Sequence, residues 1–375
     1  MHDPAEATQN TAPQPAGAVK IACRNVWKVY GPKPEGYFPD GSGRTDDPGA
    51  LIQRLRNDGC IPAAADVSFE VRAGEIFVIM GLSGSGKSTI VRCLSRLVEP
   101  TAGEILLDGV DLLKMDAKAL TDVRRHKMGM VFQNFGLMPH LTVLENVAFP
   151  LRVQGVDESA RRKKALEMIA LVGLEGREQA FPRQLSGGQQ QRVGIARSLC
   201  VDPELWFLDE PFSALDPLIR RQMQDEFVRL QTMLHKTIVF ITHDFLEALK
   251  IADRIAIMKD GRVVQIGSPS EIVLNPATEY VREFTEDVPM VRVITVAEVM
   301  ERGDATPGSD GGSDGGSDGG PTVAPDMTLE AILPHFATAD APLRVVDADG
   351  RRVGRVTPQG VLKALAEHGE RLEEA

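Results

Sequence analysis

Residues 75–88 read Glu-Ile-Phe-Val-Ile-Met and then, without a break, Gly-Leu-Ser-Gly-Ser-Gly-Lys-Ser. A short apolar run lacking polar alternation suits a strand buried on both faces, as in a parallel sheet covered by helices. The loop behind it has the spacing G-x-x-x-x-G-K-S ahead of a helix, a pattern whose successive backbone N–H groups wrap phosphates. Two further runs are built the same way. Leu205-Trp-Phe-Leu208 ends in Asp209 and Glu210, and Thr237-Ile-Val-Phe-Ile-Thr242 ends in His243 and Asp244. Ligands of open α/β sheets bind beyond the carboxyl ends of the strands, so three separate segments are expected to point at one site.

The chain of 375 residues is long enough for two domains, and 43% apolar with 25% charged residues is a globular balance. A formal net charge of -11 argues against non-specific attraction to nucleic acid or to an anionic bilayer. Four cysteines, Cys23, Cys60, Cys93 and Cys200, are too scattered for a disulfide framework or a metal site and fit a reducing cytoplasm. Residues 1–18, polar and rich in Pro and Ala, lack the basic start and apolar core of a signal peptide and read as a disordered tail. Runs such as Ile76–Met80 fall far short of the roughly 20 apolar residues that a membrane-spanning helix needs.

After Pro217, apolar Ile219, Met223, Phe227, Leu230 and Leu234 recur at helical spacing and predict an amphipathic helix packed on the sheet. Helices are also expected over Arg161–Val172 and Gln189–Leu199, which together suggest a helical subdomain over about 123–199. Residues 31–64 look like a separate insertion, rich in Pro and Gly and briefly helical at Ala50–Arg56. The main domain is expected to run over 19–290, followed by a connector at 291–307. At 308–320 the sequence repeats GSD units, a flexible linker with a root-mean-square span of about 20 Å. It lacks the nine-residue pattern of calcium-binding glycine repeats. Beyond it, 321–370 is expected to form a small α/β unit: a helix at Leu329–Leu333, strands at Leu343–Val346 and Arg352–Thr357 joined by a hairpin turn at Asp347–Gly350, and a helix at Gly360–Ala366.

Within the glycine loop, Lys87 places a positive charge on the outer phosphates and Ser88 offers a hydroxyl to Mg²⁺. Asp209, at a strand end, suits the sphere of the same metal ion, through water that Mg²⁺ is slow to give up. Glu210, one residue further, can orient or deprotonate an attacking water. His243 is placed to hold a terminal phosphate or that water, although a lone histidine is more often an ordinary surface or core residue. Gln133, in Met130-Val-Phe-Gln-Asn134, has an amide that can reach metal or water, and is otherwise a surface glutamine after a strand. Tyr30 offers a ring face to an adenine, or is a core tyrosine. The stretch Leu185-Ser-Gly-Gly-Gln-Gln-Gln-Arg192 is a second anion-type helix start, with Ser186 as a cap and glycines that let a phosphate approach.

Gly81–Ser88, Gln133, Leu185-Ser-Gly-Gly-Gln189, Leu208-Asp-Glu210, Ser213-Ala-Leu-Asp216 and His243 stand in an order that resembles the ATP-binding cassette family over about residues 20–280. The resemblance implies an α/β nucleotide-binding fold: a mainly parallel core, an antiparallel β part and a helical subdomain. It implies ATP held by Gly81, Leu82, Ser83, Gly84, Ser85, Gly86, Lys87, Ser88 and Thr89, with Tyr30 against the base. Ser88, Gln133 and Asp209 would hold Mg²⁺, and Glu210, His243 and Gln133 would carry catalysis. Ser186, Gly187, Gly188 and Gln189 would close over the ATP of a second copy, with Asp216 in the loop between the two. The runs Ile76–Thr89, Arg96–Thr101, Met130–His140, Phe212–Arg220 and Arg254–Met258 are similar to the ATPase subunits of glycine betaine/proline betaine importers, as is the insertion at 31–64. Gln189 stands where that subfamily often has Met. Its members work at the cytoplasmic face of the membrane with a permease and an extracytoplasmic solute-binding protein. Phe135-Gly-Leu-Met-Pro-His140 would lie near the permease. The solute stays open, with choline, carnitine or proline beside betaine, because specificity lies in other polypeptides. The unit at 321–370, with Thr295-Val-Ala-Glu-Val-Met300, resembles a cystathionine-beta-synthase (CBS) type regulatory module. Such repeats normally pair, which leaves a sensor completed by a second chain and a vestigial fold as the two readings.

Two other classes of ATPase share a glycine signature. A chromosome or DNA-repair ATPase needs long heptads or a basic surface, and neither occurs. A translation-type protein carries two cassettes in one chain, where this one has a single phosphate loop and a single signature.

Overall fold

The computed structural model describes residues 17–302 and 321–373, apart from 134, 287, 339, 340 and 348. Nearly all of the expected tail and the whole GSD repeat lie outside the described residues. The chain forms two compact units, divided between Ile266 and Gly267.

The first unit runs β1 (Val19–Tyr30), α1 (Pro48–Asn57), β2 (Ile61–Arg72), β3 (Ile76–Met80), α2 (Lys87–Leu94), β4 (Ala102–Leu107) and β5 (Val110–Asp111). It continues with α3 (Ala117–His126), β6 (Met128–Val131), α4 (Val143–Val153), α5 (Glu158–Leu171), α6 (Gly187–Leu199), β7 (Leu205–Asp209), α7 (Pro217–Leu234), β8 (Thr237–Ile241), α8 (Phe245–Ile251), β9 (Arg254–Lys259) and β10 (Arg262–Gly267). One sheet has the order β2-β1-β4-β5 and the other β10-β9-β3-β8-β7-β6. In the larger sheet β3 lies parallel between β8 and β9, and β7 lies parallel between β6 and β8. Every residue of β3, β7 and β8 is buried, the burial that their unbroken apolar runs require. Phe77 and Ile79 join Val67 and Phe69 of the antiparallel sheet and Ile90 and Leu94 of α2 in one core. Elsewhere in the unit Phe227 of α7 meets the rings of Trp206, Phe212 and Phe240, with centroids 5.7–6.1 Å away.

Two boundaries differ from those read in the sequence. The expected helical stretch from 123 is broken: α3 ends at His126, and Met128–Val131 is an edge strand paired in register with Leu205–Leu208. Four residues are too few for periodicity to separate strand from helix. The helical part proper is α4, α5 and α6, which pack on one another. The insertion forms α1 and its own small core, in which Phe38, Ile52, Leu55 and Cys60 pack with Trp27.

The second unit, 267–373, has a four-stranded sheet of Glu301–Arg302, Arg352–Val356, Leu343–Val346 and Thr322–Val323 in that order. Helices Leu329–Thr338 and Pro358–Glu373 follow the expected layout. At the hairpin turn Asp347 Oδ1 accepts from the Arg351 and Asp349 amides at 2.8 and 3.0 Å. The core is Ile294, Val296, Leu329, Ile332, Leu343 and Val345 with their neighbours. Leu274 and Met290 pack against this core, so residues 267–290 go with the second unit and the division falls before the boundary read at 290.

Candidate functional site

The glycine loop leaves β3 at Met80 and enters α2 at Lys87. Gly81 has φ 149°, and a Cβ there would stand 2.3 Å from the Met258 carbonyl oxygen. Gly86 has φ 98°, and its Cβ would stand 2.2 Å from the Ala63 carbonyl oxygen. No side chain fits either place, which is why the loop can lie flat against the sheet. Lys87 is 5% exposed and curls over its own loop, donating to the Gly81 and Leu82 carbonyls at 2.8 and 3.0 Å. Burial holds its ammonium below the ordinary lysine range, opposed by the nearby carboxylates of Glu210 and Asp209. The Ser85 hydroxyl is buried in the same loop without a hydrogen-bond partner, and a buried polar atom of that kind calls for a ligand or water. Ser83 and Gly84 are exposed, and Ser88 and Thr89 are half-buried on the first turn of α2.

β7 delivers the acids. Asp209 is 3% exposed and accepts from Ser88 Oγ at 2.9 Å, with Arg92 Nη2 3.6 Å from its other oxygen. Arg92 was missed in the sequence. Its spacing of four from Ser88 puts it on the same face of α2, which is the signal that could have found it. Glu210 sits at φ 45°, a left-handed conformation that costs a non-glycine residue about 1–3 kcal/mol and persists only when its surroundings hold it. They do: its amide donates to the Ile241 carbonyl at 3.1 Å, and its carbonyl accepts from Ser213 N and Oγ at 3.3 and 3.0 Å. The bend turns the side chain toward two other segments. Glu210 Oε2 lies 3.3 Å from Gln133 Nε2 and 3.3 Å from His243 Nδ1. The structure thus brings Lys87, Ser88, Asp209, Glu210, Gln133 and His243 together.

Tyr30 ends β1, is 45% exposed and pairs in register with Ile61, with Lys28 Nζ 4.9 Å over its ring. The core-tyrosine alternative is therefore set aside. Ser186 caps α6 and forms a reciprocal box with Gln189, Ser186 Oγ accepting at 3.4 Å and Gln189 Oε1 accepting at 3.0 Å. The helix therefore starts at Gly187, two residues before the start read in the sequence. Gly187 is half-buried with no atom closer than 3.5 Å to a Cβ position, whereas a Cβ on Gly188 would stand 2.6 Å from Ile219 Cγ2. Asp216 caps α7, its Oδ1 accepting from the Leu218 and Ile219 amides at 3.1 Å.

A groove of about 370 Å³ opens beside Gln133, with Met130, Phe132, Met138, Phe149 and Val153 in its wall and Arg124 among its basic residues. Arg197 pins the loop at its edge, donating to the Gly136 and Phe135 carbonyls at 2.6 and 3.1 Å.

A profile described as ABC transporter matches residues 64–213. The chain is 51% identical over 345 residues to the trimethylamine N-oxide transport system ATP-binding protein TmoW of Pelagibacter ubique, covering 92% of this chain and 97% of that one. It is 60% identical over 287 residues to the protein of the same name from Ruegeria pomeroyi, covering 76% and 83%. With the glycine betaine/proline betaine transport system ATP-binding protein ProV of Escherichia coli it shares 48% over 288 residues, covering 76% and 70%. Among solved structures, a dimeric ATP-binding cassette in a post-hydrolysis state, bound to ADP and Pi, is 35% identical with a TM-score of 0.55, covering 66% of this chain and 98% of that one.

Proposed function

The chain belongs to the ABC transporter family, and from that premise we propose that it is the ATP-hydrolysing subunit of an importer for a small methylated-amine osmolyte, acting as a head-to-tail pair of copies. The observation that carries this reading is the meeting of four separate segments within hydrogen-bond range: Ser88 with Asp209, and Gln133 and His243 with Glu210.

The loop 81–89 takes the phosphates, with Lys87 releasing its carbonyl contacts to neutralise them and the Ser85 hydroxyl gaining a partner. Tyr30 covers the base. The Ser88 hydroxyl and the Asp209 carboxylate, 2.9 Å apart, form a hard oxygen pair of the kind that Mg²⁺ takes, and Gln133 is read as a third group toward it. When bound, that ion supplies charge neutralisation at the phosphoryl oxygens. Glu210 accepts the proton of the attacking water, and His243 holds the water or the outer phosphate from the opposite side.

Ser186, Gly187, Gly188 and Gln189 lie at the start of a 13-residue helix and are read as closing over the ATP of the second copy, with Asp216 at the seam. The likeness to a dimeric cassette supports this arrangement. The groove beside Phe135–His140 is read as the seat of the permease, through which the pair meets an extracytoplasmic solute-binding protein at the cytoplasmic face of the membrane. Among the described residues no helix is long and apolar enough to cross a membrane; attachment is read as peripheral, through the permease, and a net charge of -11 speaks against a nucleic-acid partner.

Trimethylamine N-oxide is the favoured solute, because the chain is 60% identical to the TmoW of Ruegeria pomeroyi and 51% identical to that of Pelagibacter ubique over 97% of the latter's length, whereas the glycine betaine relatives reach 48–51% over 68–70% of theirs. Glycine betaine, the solute favoured by the sequence motifs, is the second reading. The unit beyond the main domain is read as a CBS-type regulatory module. Uptake assays on the chain reconstituted with its permease and binding protein test all three points. ATP hydrolysis stimulated by trimethylamine N-oxide supports the first solute, and stimulation by betaine alone redirects it. No stimulation by any methylated amine refutes the class. A salt response unchanged by removing the second unit, residues 267–375, refutes the regulatory role.

A further inference from the structure

Arg220 lies on the first turn of α7, yet its guanidinium reaches two segments of the site at once. Nε stands 3.3 Å from the Phe212 carbonyl oxygen, and Nη2 stands 3.4 Å from that of Ser213 and 3.3 Å from that of Leu215. Nη1 stands 3.8 Å from Asp244 Oδ2. Phe212–Leu215 is the loop between Glu210 and α7, and Asp244 follows directly on His243. The far end of this bridge is itself anchored. The Asp244 amide donates to Thr242 Oγ1 at 3.0 Å, Asp244 Oδ1 accepts from the Glu247 amide at 3.1 Å, and the buried Glu247 carboxyl accepts from Gln224 of α7 at 2.9 Å. A cavity of about 10 Å³ bounded by Glu210, His243, Thr242 and Glu247 lies between the two segments.

We propose that Arg220 is a positioning residue for hydrolysis: it fastens the loop after Glu210 to the turn that carries His243, and so sets the distance between the carboxylate and the imidazole. The proposal rests on the roles given to Glu210 and His243 above. Glu210 is held at its left-handed φ through its carbonyl, which accepts from Ser213, and Ser213 is in turn held through its own carbonyl by Arg220. A planar fork of five donors can serve three carbonyls and an acid together, whereas an ammonium on a flexible stem has no such geometry. The ion pair with Asp244 is partly exposed and adds little by itself, so the carbonyl bonds carry the clamp. The cavity leaves room for about one water, and small displacements of its walls therefore change what fits between base and histidine.

The test compares full-length Arg220→Met, Arg220→Lys and Asp244→Asn with the unaltered chain, reading kcat and KM for Mg-ATP and the thermal midpoint. Arg220→Met is expected to lower kcat roughly 10- to 100-fold, the scale of an ångström-level misplacement, with KM held within about twofold. Arg220→Lys is expected to recover only a small part of this, and Asp244→Asn to lose less than either. Wild-type kcat in Arg220→Met, or full rescue by lysine, overturns the clamp. So does a loss of kcat that merely follows a rise in KM and a fall in the thermal midpoint. An unaltered chain that neither binds nor hydrolyses ATP overturns the underlying reading instead, and is told apart because it shows before any variant is made.

Discussion

The helix that begins at Lys87 and the helix that begins at Gly187 open on similar chemistry, glycine and serine ahead of a first turn of backbone N–H groups, but their own chain completes only the first. Around Lys87 the fold gathers Ser88, Asp209, Glu210, Gln133 and His243. Around Gly187 the hydrogen bonds turn inward: Ser186 and Gln189 cap each other, and Gly188 abuts Ile219. Equal local chemistry therefore does not make equal sites. Under the proposed function, the first start is the hydrolytic one because acids from other strands reach it, and the second is left for a ligand that another copy brings.

The comparison can be broken most sharply at Glu210. Glu210→Gln keeps the shape and the contact to Gln133 or His243 but removes the proposed base, and is expected to lower phosphate release by about 100- to 10,000-fold while leaving ATP bound. Unchanged turnover would remove the hydrolytic centre from the first helix start. Gly187→Asp comes next. A Cβ there would make only ordinary contact with Leu215, at 3.5 Å, unlike Gly188, where Ile219 would clash within the chain, so it probes the second start without an internal steric fault. Equilibrium binding of ATP by one copy is expected to survive, whereas closure of the pair, read by size-exclusion chromatography with the Glu210→Gln background, and hydrolysis are lost. A variant that pairs and turns over normally would show that the second start serves only its own helix. The smallest effect belongs to Ser186→Ala. Loss of the cap is expected to cost about 1 kcal/mol in unfolding experiments. If the hydroxyl also meets the partner's phosphate, hydrolysis falls by more than that destabilisation explains; an equal fall would assign Ser186 to capping alone.

Much of the site was legible because its chemistry is written in consecutive residues. The loop 81–88 announces a phosphate cradle by spacing, and the apolar runs before Asp209 and His243 announce strands whose ends coincide. The amphipathic pattern after Pro217 foretold α7, which buries Met223, Phe227 and Leu230 as spaced. The edge strand Met128–Val131 was not legible, since four residues carry no periodicity and its place is set by pairing with Leu205–Leu208. Nor was the boundary before Gly267, which follows from where Leu274 and Met290 find an apolar surface. Arg92 and Arg220 are ordinary helix cations in the sequence: the carboxylates they meet, Asp209 and Asp244, lie far along the chain, and the carbonyls that Arg220 holds belong to a loop whose course only the fold sets.

The sequence by itself determined the ligand class and the residue types to handle it: a glycine-rich loop, a lysine and a serine at fixed spacing, and acids after apolar runs. Those are short-range properties, dictated by sterics and by the reach of adjacent groups. Only the tertiary structure decided that Gln133 and His243 meet the same oxygen of Glu210, that Glu210 is bent to φ 45° to meet them, and that Ser186 turns back on its own helix. Such relations depend on the register of parallel strands and on which loops they bring side by side, and no stretch of consecutive residues encodes a distance between segments that only the folded sheet makes neighbours.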